Sequence, residues 1–349
     1  MNNKKWIKLF IFSSTSVLIL VGVINYVIDP LSETNYNLFN IEKVVQTVRK
    51  NKLVLSKNIV HIDNLILGSS RSIQLNPKVI SKYLGGTTFN FAVNSGLPED
   101  YLGILRYLIR ENKIPKNIIL GLDFYILNDK IPPENNFLSE PELNFLNMPR
   151  SNNTFFSLNK FLLSVKNIYM VLAHKKAEST FDINGYLFHK KEDDLIHKNQ
   201  YNFMEKIQED STNYMKGKYS RKTYDSLSNE RIKYLLEFLK LTEKYDIKII
   251  SFLSPVHNYH YQKIMENKTL AKTLVEFKRE IAKHFNYYDF MYPCEMNQIN
   301  ENFYDAVHIR SNYNDLIIDE ILSNGVPQEQ RVGILNTIKS VYCESKDNE

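Results

Sequence analysis

Cysteine is scarce in this chain. Two occur among 349 residues, Cys294 and Cys343. That is too few for a small domain stapled by disulfides, and they lack the paired spacing of a metal site. A concentrated charge of one sign is lacking too. Lys and Arg number 44 against 39 Asp and Glu, a formal net charge of +5. Three of the lysines, Lys4, Lys5 and Lys8, fall at the very start, which leaves the remainder nearly balanced. A nucleic-acid binder carries a focused basic face, so nucleic acid is not an expected partner. There is no internal repeat. There is also no Gly-x-Ser-x-Gly, the signature of a nucleophile elbow. With 43% hydrophobic and 24% charged residues, the chain is not a disordered tail. Its length suits one large domain or two small ones.

What is present begins with a long apolar run. Leu9–Ile28 carries no charge. At about 1.5 Å per residue it spans roughly the 30 Å of a hydrocarbon core. Trp6 and Tyr26 stand near its ends, where amphipathic rings favour the interface. The three lysines ahead of it predict a cytoplasmic segment 1–8, a membrane-spanning anchor 9–28 and an external remainder. A cleaved signal peptide would have a shorter apolar region and a small-x-small site; Asn25-Tyr26-Val27-Ile28-Asp29-Pro30 does not fit one. Residues 29–60 read as a linker with an amphipathic helix around Ile41, Val44, Val45 and Val48.

The pattern then changes to that of an α/β domain over 61–325. Asp63–Gly68, Thr87–Val93, Asn117–Asp123, Ile247–Leu253 and Tyr287–Met291 read as short strands bounded by turn residues. Helical spacing lies between them. Val79, Ile80, Tyr83 and Leu84 precede Gly85-Gly86. Leu102, Leu105, Tyr107, Leu108 and Ile109 follow Pro98, whose fixed φ suits a first helical turn. Ile232, Leu235, Leu236 and Leu239 mark another helix, residues 267–285 a long one, and a last helix starts at Ser311 with Gly325 past its end. Strands alternating with helices predict a mostly parallel sheet with right-handed crossovers. Residues 128–225 break the rhythm and read as an insertion with one strong helix near Phe155–Val171. Residues 326–349 read as a polar tail.

In an open α/β sheet, ligands bind beyond the carboxyl ends of the strands. Those ends carry Gly68-Ser69-Ser70-Arg71-Ser72, Asn94-Ser95-Gly96, Asp123-Phe124-Tyr125, Pro255-Val256-His257 and Asp305-Ala306-Val307-His308. A serine hydroxyl needs a base within hydrogen-bond reach to act as a nucleophile. A histidine can be that base, and a carboxylate on its other nitrogen fixes the tautomer. Ser70, His308 and Asp305 are therefore the candidate catalytic residues. Backbone amides of the first two turns could stabilise a developing oxyanion.

These residues, in this order, resemble the SGNH, or GDSL-like, hydrolase superfamily. Gly68-Ser69-Ser70 is similar to its Gly-Asp-Ser block, with Ser69 in the aspartate's place. Asn90-Phe-Ala-Val-Asn-Ser-Gly96 is similar to the second block, and Asp305-x-x-His308 to the last. The resemblance implies a three-layer α/β/α fold with a flavodoxin-like sheet, an acyl intermediate on Ser70, and an oxyanion hole from Ser70, Gly96 and Asn94. Asp123 stands where the family often has asparagine. Either it has another role, or the hole relies on backbone amides and Asn94. The anchor, the Asp29-Pro30 after it and the Gly-Ser-Ser-Arg block are similar to the membrane-anchored extracytoplasmic branch found in bacteria. That implies a serine esterase or O-acyltransferase at the cytoplasmic membrane, acting on an acylated glycan of the envelope or an exported polysaccharide. A membrane-bound O-acyltransferase is the partner it implies, with no cofactor and no metal. A non-catalytic module that binds glycan or such an acyltransferase is the alternative.

The residues expected to line the cleft are Ser69, Arg71, Asp123 and His257. Arg71 could bind an anionic or sugar group, or make a local salt bridge. His257 and His260 form His-x-x-His without an evident third ligand, so no metal is expected there. His61, His174, His189, His197 and His284 belong to no constellation and read as surface or core residues. The 22 tyrosines and 20 phenylalanines are spread along the chain and read as packing residues.

Overall fold

The computed structural model describes residues 3–28, 48–131, 156–173, 181–187, 189–216 and 224–323. In chain order the elements are α1 (Asn3–Ile28), α2 (Val48–Lys57), β1 (Asn64–Leu67), α3 (Pro77–Leu84), β2 (Thr88–Asn90), α4 (Pro98–Arg110), β3 (Asn117–Leu122), α5 (Leu158–Leu172), α6 (Lys190–His197), α7 (Phe203–Lys216), α8 (Asn229–Lys244), β4 (Lys248–Leu253), α9 (Asn258–Glu266), α10 (Lys268–Ala282), β5 (Tyr287–Asp289) and α11 (Ser311–Ser323). The expected amphipathic helix at 41–48 lies almost wholly outside the described residues, as do Gly325, Cys343 and the tail 326–349. The linker 29–60 contains α2 instead.

All five strands pair in parallel, in the order β2-β1-β3-β4-β5. That order is the flavodoxin-like one, with its switch point beside β1. The strands are buried almost throughout, apart from the first half of β4, as an apolar sheet covered on both faces requires. α3 and α11 cover one face. Their Ile80, Ile317, Ile318 and Ile321 pack with Ile66, Ile119 and Phe252 of the strands. Right-handed crossovers from the switch point put α4 and α8, which pack on each other, against the opposite face.

Local chemistry sets the element ends. Asn76 caps α3 by accepting from the Lys78 amide (3.0 Å), ahead of Pro77 in its first turn, and Gly85 ends it at φ 71°. Asp100 accepts from the Leu97 amide at the start of α4 (3.0 Å), and Ser228 and Asn267 cap α8 and α10. These are the side-chain oxygens that satisfy unpaired first-turn amides. β2 is shorter than its apolar run because Asn90 bends the chain. Its side chain donates to the carbonyls of Ser72 (2.9 Å), Ile73 (3.0 Å) and Leu75 (3.0 Å), and accepts from the Ala92 amide (3.0 Å). The amides of Phe91 and Val93 still follow β1, bonding Ile66 and Gly68 (2.9 and 3.1 Å).

The chain divides into two units. One holds the sheet and its helices, including α6 and α7. The other holds α1 and α5. Residues of the expected insertion thus belong to both. α1 is long and apolar enough to cross a membrane, with a mean hydropathy of 2.2.

Candidate active site

The turn that carries the candidate nucleophile, Ser70, follows β1 at the switch point. Gly68 opens it at φ 147°, a region open to glycine. A methyl group there would stand 2.3 Å from Ser72 Oγ. Ser69 is fully buried; its Oγ accepts from the Arg71 amide (3.2 Å), and its carbonyl accepts from Ser72 and Ile73 (3.0 and 3.2 Å). The turn is therefore held by its own backbone and by Asn90 from behind. It leaves Ser70 half-buried at the cleft.

Asp305 and His308 sit on a short loop whose feet, Phe303 and Ile309, form an antiparallel bridge. His308 Nε2 lies 2.8 Å from Ser70 Oγ, and His308 Nδ1 lies 2.7 Å from Asp305 Oδ2. The second Asp305 oxygen accepts from the amides of Val307 (2.9 Å) and His308 (2.8 Å). Burial alone would raise the Asp305 pKa, but the His308 charge and these hydrogen bonds prevail and hold it down to about 2. Burial likewise disfavours protonated His308, yet the adjacent Asp305 carboxylate outweighs it and raises the histidine above its ordinary value. The carboxylate thus fixes Nδ1 as a proton donor and leaves Nε2 to accept from Ser70.

The oxyanion candidates divide. The Ser70 amide has no acceptor among the described residues, and Asn94 stands exposed on the cleft rim. Next to Asn94, Ser95 takes a left-handed conformation, φ 49°, which is uncommon outside glycine. Gly96 differs from expectation. Its amide donates to the Val93 carbonyl (3.2 Å). What it contributes is the absence of a side chain, since a methyl group would approach the Gly68 carbonyl oxygen to 2.3 Å. The second turn is thereby packed directly on the first.

The other expected cleft residues lie behind the site. Arg71 and Asp123 form a buried ion pair (3.3 Å) that joins the nucleophile turn to the end of β3. Burial opposes the Arg71 charge, but Asp123 overrides it and raises the pKa. Asp123 therefore has a role other than oxyanion donor. Ser69 is used up within the turn. His257 caps α9, accepting from the Tyr259 amide at Nδ1 (3.1 Å), while its own amide donates to Ala306 (2.9 Å). Its ring meets Phe303 edge-on, and burial lowers its pKa. Ser69 is bonded within its own turn, Arg71 and Asp123 are paired with each other, and His257 is held at the start of α9.

The chain matches no family model and no curated protein. Its site is described by geometry alone: a serine, a histidine and a carboxylate in relay at the mouth of a cleft of about 530 Å³.

The far wall of that cleft comes from residues outside the sequence-predicted site. His189, Glu192, Leu195, Tyr201 and Asp210 line it, with Tyr304 between the walls. His189 Nε2 lies 2.5 Å from Gln74 Nε2, and its ring lies tilted against Tyr304, with centroids 4.5 Å apart. Burial lowers the His189 pKa, against the pull of Glu192. Tyr304 donates to Asp193 (2.8 Å), and Tyr201 donates to the Tyr304 carbonyl. The only advance signal was the acidic first turn of α6, Glu192-Asp193, which by itself marks a helix start.

Proposed function

We propose that this protein is a membrane-anchored serine esterase or O-acyltransferase of the SGNH type. The observation that carries this reading is the continuous relay from Ser70 through His308 to Asp305 at the open end of a parallel sheet. Ser70 Oγ attacks the carbonyl carbon of an acyl ester, and its proton passes to His308 Nε2. The tetrahedral oxyanion lies toward the Ser70 amide and Asn94. As the carbonyl re-forms, the ester C–O bond breaks, and the leaving alkoxide takes the proton from His308. An acyl-Ser70 ester remains. A water or a sugar hydroxyl then gives its proton to Nε2 and attacks the acyl carbon; the acyl–Oγ bond breaks, and Ser70 Oγ takes the proton back from Nε2. Each group is used twice, once in each direction, and the acyl acceptor, water or a sugar hydroxyl, is the only co-reactant.

The resemblance to the extracytoplasmic bacterial branch supports an O-acylated glycan of the envelope, or an exported polysaccharide, as substrate. It also supports a membrane-bound O-acyltransferase as partner. The lysines ahead of α1 favour a cytoplasmic N-terminus, with the catalytic unit outside the cytoplasmic membrane. Labelling by a fluorophosphonate and hydrolysis of a simple acetyl ester test the reading. Both are expected, and both should disappear in Ser70→Ala and His308→Ala. A folded protein that neither labels nor hydrolyses would replace the enzyme with the binding-module reading.

A further inference from the structure

The helix pair α1 and α5 is built the wrong way round for water. In a soluble amphipathic helix the apolar stripe faces a partner and the polar side faces out. In α5, Leu158, Leu162, Val165, Tyr169 and Leu172 recur at alternating steps of four and three, so they form one stripe along the helix. That stripe is exposed, from 44% at Val165 to 74% at Leu172. Phe156, just ahead of the helix, is exposed as well. Among the described side chains, those that α5 buries are Ser164 and Asn167, both at 0%.

The contact with α1 follows the same inverted rule. Asn25 of α1 is buried; its Oδ1 accepts from Ser164 Oγ (3.0 Å), and its Nδ2 donates to the Ser157 carbonyl (3.0 Å). Phe156 lies across Gly22, where a methyl group would meet its ring at 2.9 Å. A glycine at the crossing, a side-chain amide bonded between helices, and large apolar groups turned outward are how helices pack inside lipid. In water the same arrangement would leave the stripe hydrated and gain little from the contact.

We infer that α5 is a second membrane element, with its Leu158–Leu172 stripe set in the acyl chains of the leaflet that holds the C-terminal end of α1. The occupant of the stripe is lipid rather than protein because the stripe continues the apolar surface of α1. The α1 residues Leu18, Ile19, Leu20 and Val23, close to the crossing, are exposed in the same way. At fifteen residues, α5 reaches about 22 Å and is too short to cross a core of roughly 30 Å. It therefore lies within one leaflet. It has no acidic residue, and Lys166 is exposed beside the stripe, where a long stem can carry the ammonium up to anionic headgroups. The inference rests on the anchor reading of α1.

The test uses the full chain in vesicles of phosphatidylethanolamine and phosphatidylglycerol. A benzophenone amino acid replaces Leu162, Leu172, Leu18 or Lys240, one at a time, and adducts are identified by mass after illumination. Lipid adducts are expected at Leu162 and Leu172 as at Leu18, with none at Lys240 on the exposed side of α8. These side chains are exposed, so the probes do not disturb the packing, and a thermal melt of each variant checks it. Adducts at Leu18 without adducts at Leu162 and Leu172 would overturn the inference and leave the anchor intact. Protein adducts at Leu162 would also overturn it, by showing a protein occupant. Absence of lipid adducts at all three positions would overturn the anchor and the inference together.

Discussion

The two walls of the cleft are held in different ways. On the strand-end wall every functional group is fixed from behind. Asn90 binds three carbonyls of the nucleophile turn, Gly96 packs on Gly68, two amides hold Asp305, and His257 supports Ala306. The opposite wall stands on the short polar helices α6 and α7. It meets the first through contacts at Tyr304 and through His189 on Gln74. Rigid strand ends suit groups that must be placed within tenths of an ångström, as a relay requires. A wall of long polar side chains suits contacts that select among substrates. In the proposed enzyme, chemistry therefore belongs to one wall and substrate fit to the other.

Substitutions can break this division, and the largest effects should fall on the strand-end wall. Ser70→Ala and His308→Ala should each lower kcat/KM for an acetyl ester by roughly 10⁴- to 10⁶-fold, with little change in thermal stability. Asp305→Asn should cost about 10⁴-fold in kcat, because the imidazole tautomer is no longer fixed. Gly96→Ala forces a methyl group onto the Gly68 carbonyl. It should lose about 1–3 kcal/mol in denaturant unfolding and lower kcat with it, whereas an exposed alanine substitution on α8 should do neither.

The pH profile sharpens the same comparison. The base must be neutral to accept from Ser70. Its pKa is raised by Asp305 above the ordinary 6.5, so activity should be lost as pH falls through a midpoint above 6.5. Asp305 stays ionised down to about 2 and does not set that limb. A midpoint below 6.5 in kcat/KM would contradict the His308–Asp305 pairing. The smallest effects should come from the far wall. His189→Gln or Glu192→Gln should raise KM by about tenfold at most, the equivalent of one hydrogen bond, and leave kcat within a few-fold. A collapse of kcat in either would move chemistry onto that wall.

Much of the fold was legible because each strand is a short apolar run closed by turn residues, and the parallel order follows from helices between them. Ser70, Asp305 and His308 were legible as strand-end residues for the same reason. What escaped has physical causes. α6, Lys190–His197, is a charged helix of two turns, and its sequence KKEDDLIH offers no apolar stripe to read. α7 carries Ile207 as its one large buried apolar residue. Their position after strands marks Asp123 and Arg71 as cleft residues, with a local salt bridge as the other reading of Arg71 and another role open for Asp123. Each was the other's partner, however, and a contact between residues so far apart in sequence leaves no local pattern. His189 came to the site only through its fit against Tyr304 and Gln74. β2 ends short of its apolar run, because Asn90 interrupts that run through its side chain.

The loop that carries Asp305 and His308 is pinned at both feet, and the Tyr304 amide closes it on the His308 carbonyl (2.8 Å). Base and carboxylate are therefore one piece of chain, while the serine belongs to another. The relay has a single seam, between Ser70 and His308. A strain that opens the site parts the two pieces there and carries the imidazole and its carboxylate away together. The strongly deshielded proton shared by His308 and Asp305 should then remain visible by NMR in a protein that has already stopped turning over.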